Sequence, residues 1–317
     1  MTDLRRRHCH LLYGLAIDSD FELRGLPAAP PDSMAPRVRI TRASIREPSL
    51  AQRDPSIFVN TGSTQLLAWA MVGAFRIASD DVIEVDPNPE ASDALVALPL
   101  LGAVLATLLH RRGVMVFHAS AISVHGGAVA LLGDKGAGKS TTAGMLAAAG
   151  HHLIADDIVA LDYSRGESPL VLPSYGELKL WPDSGARLGA AGLTKVRPIH
   201  DQIDKAHYAL PAAAEGPVGL ERLYVLQRSG RPQARVMPAA DGVAHLLRHA
   251  YLARFGDSGF GAHMQLYFER SARLARDGLV RVLEVPEGLD RLDEIPSLIE
   301  RDLEARRPAM ASRSEAD

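Results

Sequence analysis

Apolar and polar residues alternate along the first 90 positions in short runs: RVRITRA from Arg37, SIFVN from Ser56, LLAWAMV from Leu66 and DVIEVDP from Asp81. A period of two puts successive side chains on opposite faces, which suits half-buried strands. The breaks PAAPPDS and DPNPE separate these runs with turn-forming residues. Residues 1–90 therefore read as a β-rich accessory domain. From Ala94 to Leu109 the pattern changes to a continuous apolar run carrying Pro99 and Gly102. It falls short of the roughly 18–20 residues needed to cross a bilayer and predicts a buried helix. Asp93 before it and His110, Arg111 and Arg112 after it match the polarity of a helix dipole.

MVFHASAISV and GGAVALLG follow as two strand-like runs, and a glycine-rich loop comes directly after them. KSTTAGMLAAAG reads as a helix stopped at Gly150, and HLIADDIVALD returns to strand character. Strand, loop, helix, strand is the βαβ-type unit of a nucleotide-binding α/β fold. Further strands are expected within LVLPSYGELKLWPDS and at ERLYVLQR, QARVMP and GLVRVLEVP, with helices over 242–253 and 295–306. The segment QIDKAHYAL, 202–210, is polar and reads as mobile. Residues 91–306 then form a second domain of α/β (mixed α+β) class, and 307–317 a disordered tail.

Composition narrows the partners. The 317 residues carry 35 Lys and Arg against 38 Asp and Glu, a formal charge of -3, so no global basic field argues for nucleic acid. Neither nucleic acid nor a membrane is expected as a partner. Cys9 is the one cysteine, which rules out an internal disulfide or a Cys-based zinc site and fits a reducing cytoplasm. Arg5, Arg6 and Arg7 open the chain, but His10, Asp18 and Asp20 interrupt any apolar core of signal-peptide length.

Chemistry concentrates after the buried helix. Gly133-Asp134-Lys135-Gly136-Ala137-Gly138-Lys139-Ser140, followed by Thr141, fits G-x-x-x-x-G-K-[ST] at every fixed position. Glycines let backbone N–H groups converge on phosphate oxygens, and the following helix aims its positive end at the same anion. Lys139 is expected on the β and γ phosphates of ATP and the Ser140 hydroxyl on Mg²⁺. A glycine-rich turn matching by chance is the bland alternative. The chain has no N-K-x-D guanine motif, which favours ATP. Asp156 and Asp157 stand 17 and 18 residues after Lys139, in an apolar strand where they would face opposite ways. A carboxylate beside a transferring phosphoryl group can take the proton of an attacking hydroxyl, whereas a solvated turn pair would do nothing. His118, on the expected strand before the phosphate loop, is by residue type alone more often structural than catalytic.

The stretch from His118 to Leu161 resembles the catalytic core of the HPr kinase/phosphorylase family and the HPr-kinase-like enzymes that phosphorylate lasso-peptide precursors. His118 stands 15 residues before Gly133, and Gly150, His151, Asp156 and Asp157 fall in the family's register. The resemblance implies a P-loop kinase core of HPr-kinase/PEP-carboxykinase type. It implies Asp156 as general base with His118 tuning it, and Asp157 with Ser140 and Glu177 about the metal. Lys205 would belong to a flexible substrate loop, and the partner would be a precursor peptide or small protein. The first 90 residues do not resemble the N-terminal domain of bacterial HPr kinases, which points to a different substrate; the family's signature helix and loop for phosphorolysis are not evident after Glu177, so that reverse reaction is left open, as is a homo-oligomer. A carrier-protein kinase, an ATPase switch and an inactive nucleotide-binding module stay as alternatives.

Overall fold

The computed structural model describes residues 8–46, 56–189, 192–200, 203–210, 213–289 and 291–305; the expected disordered tail and Gln202 lie outside them. The chain divides into two compact units, Met1–Val116 with Tyr251–Gln265, and Phe117–Ala250 with Leu266–Asp317.

The first unit is built on a seven-stranded sheet of β1 (His8–Leu12), β2 (Leu15–Ser19), β3 (Arg37–Arg42), β4 (Ser56–Asn60), β5 (Gln65–Trp69), β6 (Gly73–Ser79) and β7 (Val82–Pro87), in the order β1-β2-β3-β7-β6-β5-β4. The sequence pattern read LLAWAMV as one run, and the structure ends β5 at Trp69 and turns back at once into β6. The register pairs Trp69 with Gly73, so Met71 sits exposed in the turn. An apolar residue at a turn hid the hairpin from a pattern that equates loops with polarity. At Gly73 φ is +127°, and a Cβ there would stand 2.3 Å from the Asp86 carbonyl oxygen, so only glycine fits.

The apolar run forms α1 (Asp93–Pro99), a wider turn over Leu100–Val104 that bends at Gly102, and α2 (Leu105–Arg111). Ser92 caps it, its Oγ accepting from Leu95 N. Two expectations change here. The helical stretch groups with the first unit rather than with the residues after it. It also spans 19 residues with mean hydropathy 1.8, enough by length and composition to cross a membrane, although 56% of that window is buried in the protein.

The second unit contains β8 (Met115–Phe117), which begins two residues before it, with β9 (Ser120–Val124), β10 (Gly127–Leu132), α3 (Lys139–Ala148), β11 (His152–Ala155), β12 (Val159–Asp162), β13 (Leu170–Leu172) and β14 (Glu177–Leu180). After them come α4 (Pro182–Gly189), β15 (Thr194–His200), β16 (Ile203–Ala209), β17 (Val218–Ser229), β18 (Gln233–Val236) and α5 (Ala239–His249). A short turn of helix, α6 (Asp257–Phe260), lies in the first unit, and α7 (Met264–Arg276), β19 (Val280–Pro286) and α8 (Glu294–Glu304) complete the described chain. The main sheet runs β11-β9-β10-β17-β13-β12-β8, with β19 joined to β17 and β18 to β19. β10, β17 and β19 are mutually parallel, whereas β9 is antiparallel to both β10 and β11. The crossover from β10 through α3 therefore returns to a parallel strand one place removed, and the fold is mixed α+β. A separate sheet, β14-β16-β15, packs Leu178 and Leu180 into the same core as Ala143 and Leu146 of α3 and Tyr224 of β17.

The segment expected to be mobile is instead strand β16, hydrogen-bonded on both sides to β14 and β15. Alternating residues of IDKAHYA supply Ala206 and Tyr208 to the core, a pattern its charged residues obscured.

Candidate active site

β10 is buried along its whole length and delivers the chain into the loop 133–138. Gly136 and Gly138 have φ of +86° and +98°, in the left-handed region that favours glycine, and Gly138 is the N-cap from which α3 starts. The loop is held from outside by arginine. Arg228 donates to Gly136 O at 3.1 Å and to Pro286 O at 2.6 Å, and Arg248 pairs with the Asp134 carboxylate at 2.8 Å.

Lys139 is 8% exposed, and its ammonium group donates to the carbonyls of Gly133 (2.8 Å) and Asp134 (3.2 Å). Burial lowers its pKa, opposed by the charges of Asp156 and Asp157. At the next residue, Ser140 Oγ donates to Asp156 Oδ1 at 2.9 Å, and Ser120 Oγ donates to the same oxygen at 2.6 Å. Asp156 Oδ2 accepts from Lys179 N at 3.0 Å. Burial, then the neighbouring charge of Asp157, raises the pKa of Asp156.

Asp156 and Asp157 were expected within one strand. The structure breaks it there, with β11 ending at Ala155, β12 starting at Val159 and Asp157 at φ +67°. The bend lets both residues line the cavity beside the loop, which a regular strand would forbid. Asp157 Oδ2 accepts from Lys179 Nζ at 2.6 Å. Burial alone would raise its pKa, but the charge and hydrogen bond of Lys179 bring it down to about 2. The same ion pair holds the Lys179 ammonium above its ordinary range against its burial.

His118 was expected on a strand and instead occupies the break between β8 and β9, its N donating to His249 O at 3.1 Å. Its ring Nδ1 lies 3.1 Å from the backbone carbonyl oxygen of Asp157. His118, Lys135, Gly136, Gly138, Lys139, Ser140, Thr141, Asp156, Asp157 and Lys205 all line one cavity. Thr141 Oγ1 also meets Ser184 Oγ at 3.0 Å. Lys205 lies with its ammonium 5.2 Å from the Trp181 ring centroid.

Two expected assignments shift. Glu177 does not line the cavity; Arg197 donates to both its oxygens, at 2.7 and 2.6 Å, and His207 Nδ1 lies 2.9 Å from Oε2. These contacts tie β14 to β15 and β16 in the three-stranded sheet. The carboxylate bonded to the Ser140 hydroxyl is that of Asp156, whereas the Asp157 carboxylate is bonded to Lys179. Lys179, Ser120 and Arg228 were not anticipated. For Lys179 a signal existed: in Glu177-Leu178-Lys179-Leu180 the leucines face the core, so the lysine must face the other way. Ser120 and Arg228 carry no such mark.

A glycine-rich loop between a buried strand and a helix, with lysine, serine and carboxylate converging at its mouth, defines a P-loop phosphate cradle on a mixed sheet. No family model and no curated protein matches the chain. Among solved structures, the Hpr(Ser) kinase/phosphatase from Coxiella burnetii is similar over 64% of this chain and 98% of that one, at 13% identity and a TM-score of 0.35. At that identity and score, what the site can do has to come from its own geometry.

Proposed function

We propose that this chain is a Mg-ATP-dependent phosphotransferase that passes the γ-phosphate to a serine hydroxyl of a peptide or small protein. The carrying observation is the Ser140–Asp156 hydrogen bond at 2.9 Å beside a second carboxylate, Asp157, in the cavity that Lys139 also lines. A P-loop serine and an acidic partner are the oxygen pair that orients Mg²⁺ in such sites. The residues fit both groups: a run of left-handed glycines leaves the loop backbone open to phosphate oxygens, Lys139 supplies the cation, and Ser140 and Asp156 supply hard oxygen ligands. Bound there, Mg²⁺ would neutralise charge developing on the transferring phosphoryl group.

Lys139 exchanges its loop carbonyls for phosphate oxygens and fixes their position. Arg228 keeps the loop in shape from behind by holding Gly136 O. Asp157, steadied by Lys179, accepts the hydrogen bond of the acceptor hydroxyl, orients its lone pair toward phosphorus, and takes the proton as the new P–O bond forms and the bond from the γ-phosphorus to the bridging oxygen breaks to release ADP. In a loose transition state the hydroxyl stays protonated until bond formation is advanced, so the carboxylate orients it first and accepts the proton late. The raised pKa of Asp156 favours a second reading, in which Asp156 is the base as the family resemblance implies.

The acceptor follows from the resemblance and the distinct first 90 residues. It is a flexible peptide of the lasso-precursor kind, with its serine at or near the C-terminus, in preference to the folded carrier HPr. The test incubates enzyme and Mg-ATP with such a peptide or with HPr and reads added phosphate by mass spectrometry. Peptide labelling is expected. Labelling of HPr alone would make it a carrier-protein kinase, and ATP hydrolysis with neither labelled would make it an ATPase switch.

A further inference from the structure

α3 begins at the phosphate loop, and at its other end three potential ligands converge outside the cavity. His125 is at the tip of the hairpin between β9 and β10, where Val124 pairs with Gly127. Its φ is +50°, a left-handed conformation uncommon outside glycine but enriched for asparagine, aspartate and histidine, and Gly126 follows at +84°. His151 follows the C-terminal glycine of α3; its side chain is 9% exposed and its Nε2 lies 2.9 Å from Glu300 Oε1 on α8. The rings of His125 and His151 stand edge to face with centroids 5.5 Å apart. One ligand atom from each of His125, His151 and Glu300 can be chosen so that all three lie within 4.8 Å of one another.

We propose that His125, His151 and Glu300 form a binding site for a divalent transition-metal ion of the Zn²⁺ class. Two imidazoles and one carboxylate are the donor set that Zn²⁺ and its neighbours take, whereas Mg²⁺ and Ca²⁺ prefer oxygen alone. Bonds of about 2.0–2.1 Å place tetrahedral ligand atoms roughly 3.3 Å apart. The exposed His125 side chain can close the remaining gap by rotating about its own torsions. His151 already stands against Glu300, so two of the three ligands are positioned by a contact that a bound ion would replace. With three protein ligands, the fourth position belongs to water. The ion would tie the hairpin tip and α8 to the end of the phosphate-loop helix. None of the three residues lines the phosphate cavity, so this site does not depend on the kinase reading.

The experiment strips the full chain with a chelator and titrates it with Co²⁺, then displaces that ion with Zn²⁺. One equivalent should give the visible absorption of four-coordinate Co²⁺, lost on adding Zn²⁺, and Zn²⁺ should raise the thermal unfolding midpoint. His151→Ala, Glu300→Gln and His125→Asn should each weaken binding by about tenfold or more. His125→Asn is the safeguard against misfolding, because asparagine tolerates the left-handed turn and the position is exposed. His8 and His10 form a separate stacked pair, and the double variant His8→Ala, His10→Ala should leave the Co²⁺ band unchanged. No stoichiometric band, or a band that survives His125→Asn and His151→Ala but vanishes with the His8 and His10 changes, would overturn the assignment.

Discussion

At the scale of single residues, two adjacent carboxylates divide their work by what each touches. Asp156 is shared by Ser140, Ser120 and the Lys179 backbone, whereas Asp157 is paired with the Lys179 ammonium. Asp157→Asn should therefore cut phosphoryl transfer by about 10²–10⁴-fold while Mg-ATP binding stays within about tenfold. Asp156→Asn should lose the Mg²⁺ dependence of nucleotide binding, and Lys139→Ala should abolish transfer in a folded protein. Equilibrium nucleotide binding with and without Mg²⁺, run beside single-turnover transfer, separates the cases. If Asp156→Asn keeps its Mg²⁺ response yet cannot transfer, Asp156 is the base. Glu177 makes a contrasting prediction about pH. Burial would raise its pKa, but hydrogen bonds from His207 and Arg197 and the charge of Arg197 outweigh burial and hold it below the ordinary range. Its contribution is thus present above the usual carboxylate value near about 4.3 and fades as pH falls through the lower folded value. Glu177→Gln should cost about 1–2 kcal/mol at neutral pH, with Mg-ATP binding retained, since Arg197 is partly solvated. Denaturant melts at pH 7 and pH 3 check this, and a gap between variant and parent that persists at pH 3 counts against the ion pair.

At the scale of elements, the site depends on interruptions more than on strands. The breaks after Phe117 and after Ala155 turn His118, Asp156 and Asp157 toward the loop, and a continuous strand would have sent one aspartate into the opposite face. The sequence showed the correct residues but not these bends, because apolar flanks such as Leu153, Ile154, Ile158 and Val159 look the same whether the strand is broken or whole. The first unit shows the same limit at Gly73. There Gly73→Ala should destabilise by about 3 kcal/mol, since the Cβ meets backbone atoms that cannot move aside and φ is unfavourable for any L-residue. Thermal unfolding reads the loss, and an alanine variant of parental stability would show that the β6–β7 register is wrong.

At the scale of the whole molecule, net charge sets an expectation about nucleic acid. With 38 acidic against 35 basic side chains, the chain has no net positive charge to favour duplex DNA over other partners. A gel-shift titration at physiological salt should show no retained complex. Retention that weakens steeply with added salt would mean that a local basic surface outweighs the overall balance.

The phosphate loop was legible in the sequence because its chemistry is contiguous: glycines that free backbone N–H groups, then lysine and serine at the start of a helix, act through neighbours in the chain. Paired carboxylates in an apolar run marked Asp156 and Asp157, and His118 was picked out only by the family resemblance. What tertiary structure alone decided were the partnerships among distant side chains. Lys179 meets Asp157 across 22 positions, Arg197 and His207 take Glu177 into the β14-β16-β15 sheet, and Arg228 reaches Gly136 across 92. A carboxylate's role is set by which donor stands within about 3 Å of it, and that distance is a product of strand order and register, which hydrophobic periodicity does not encode.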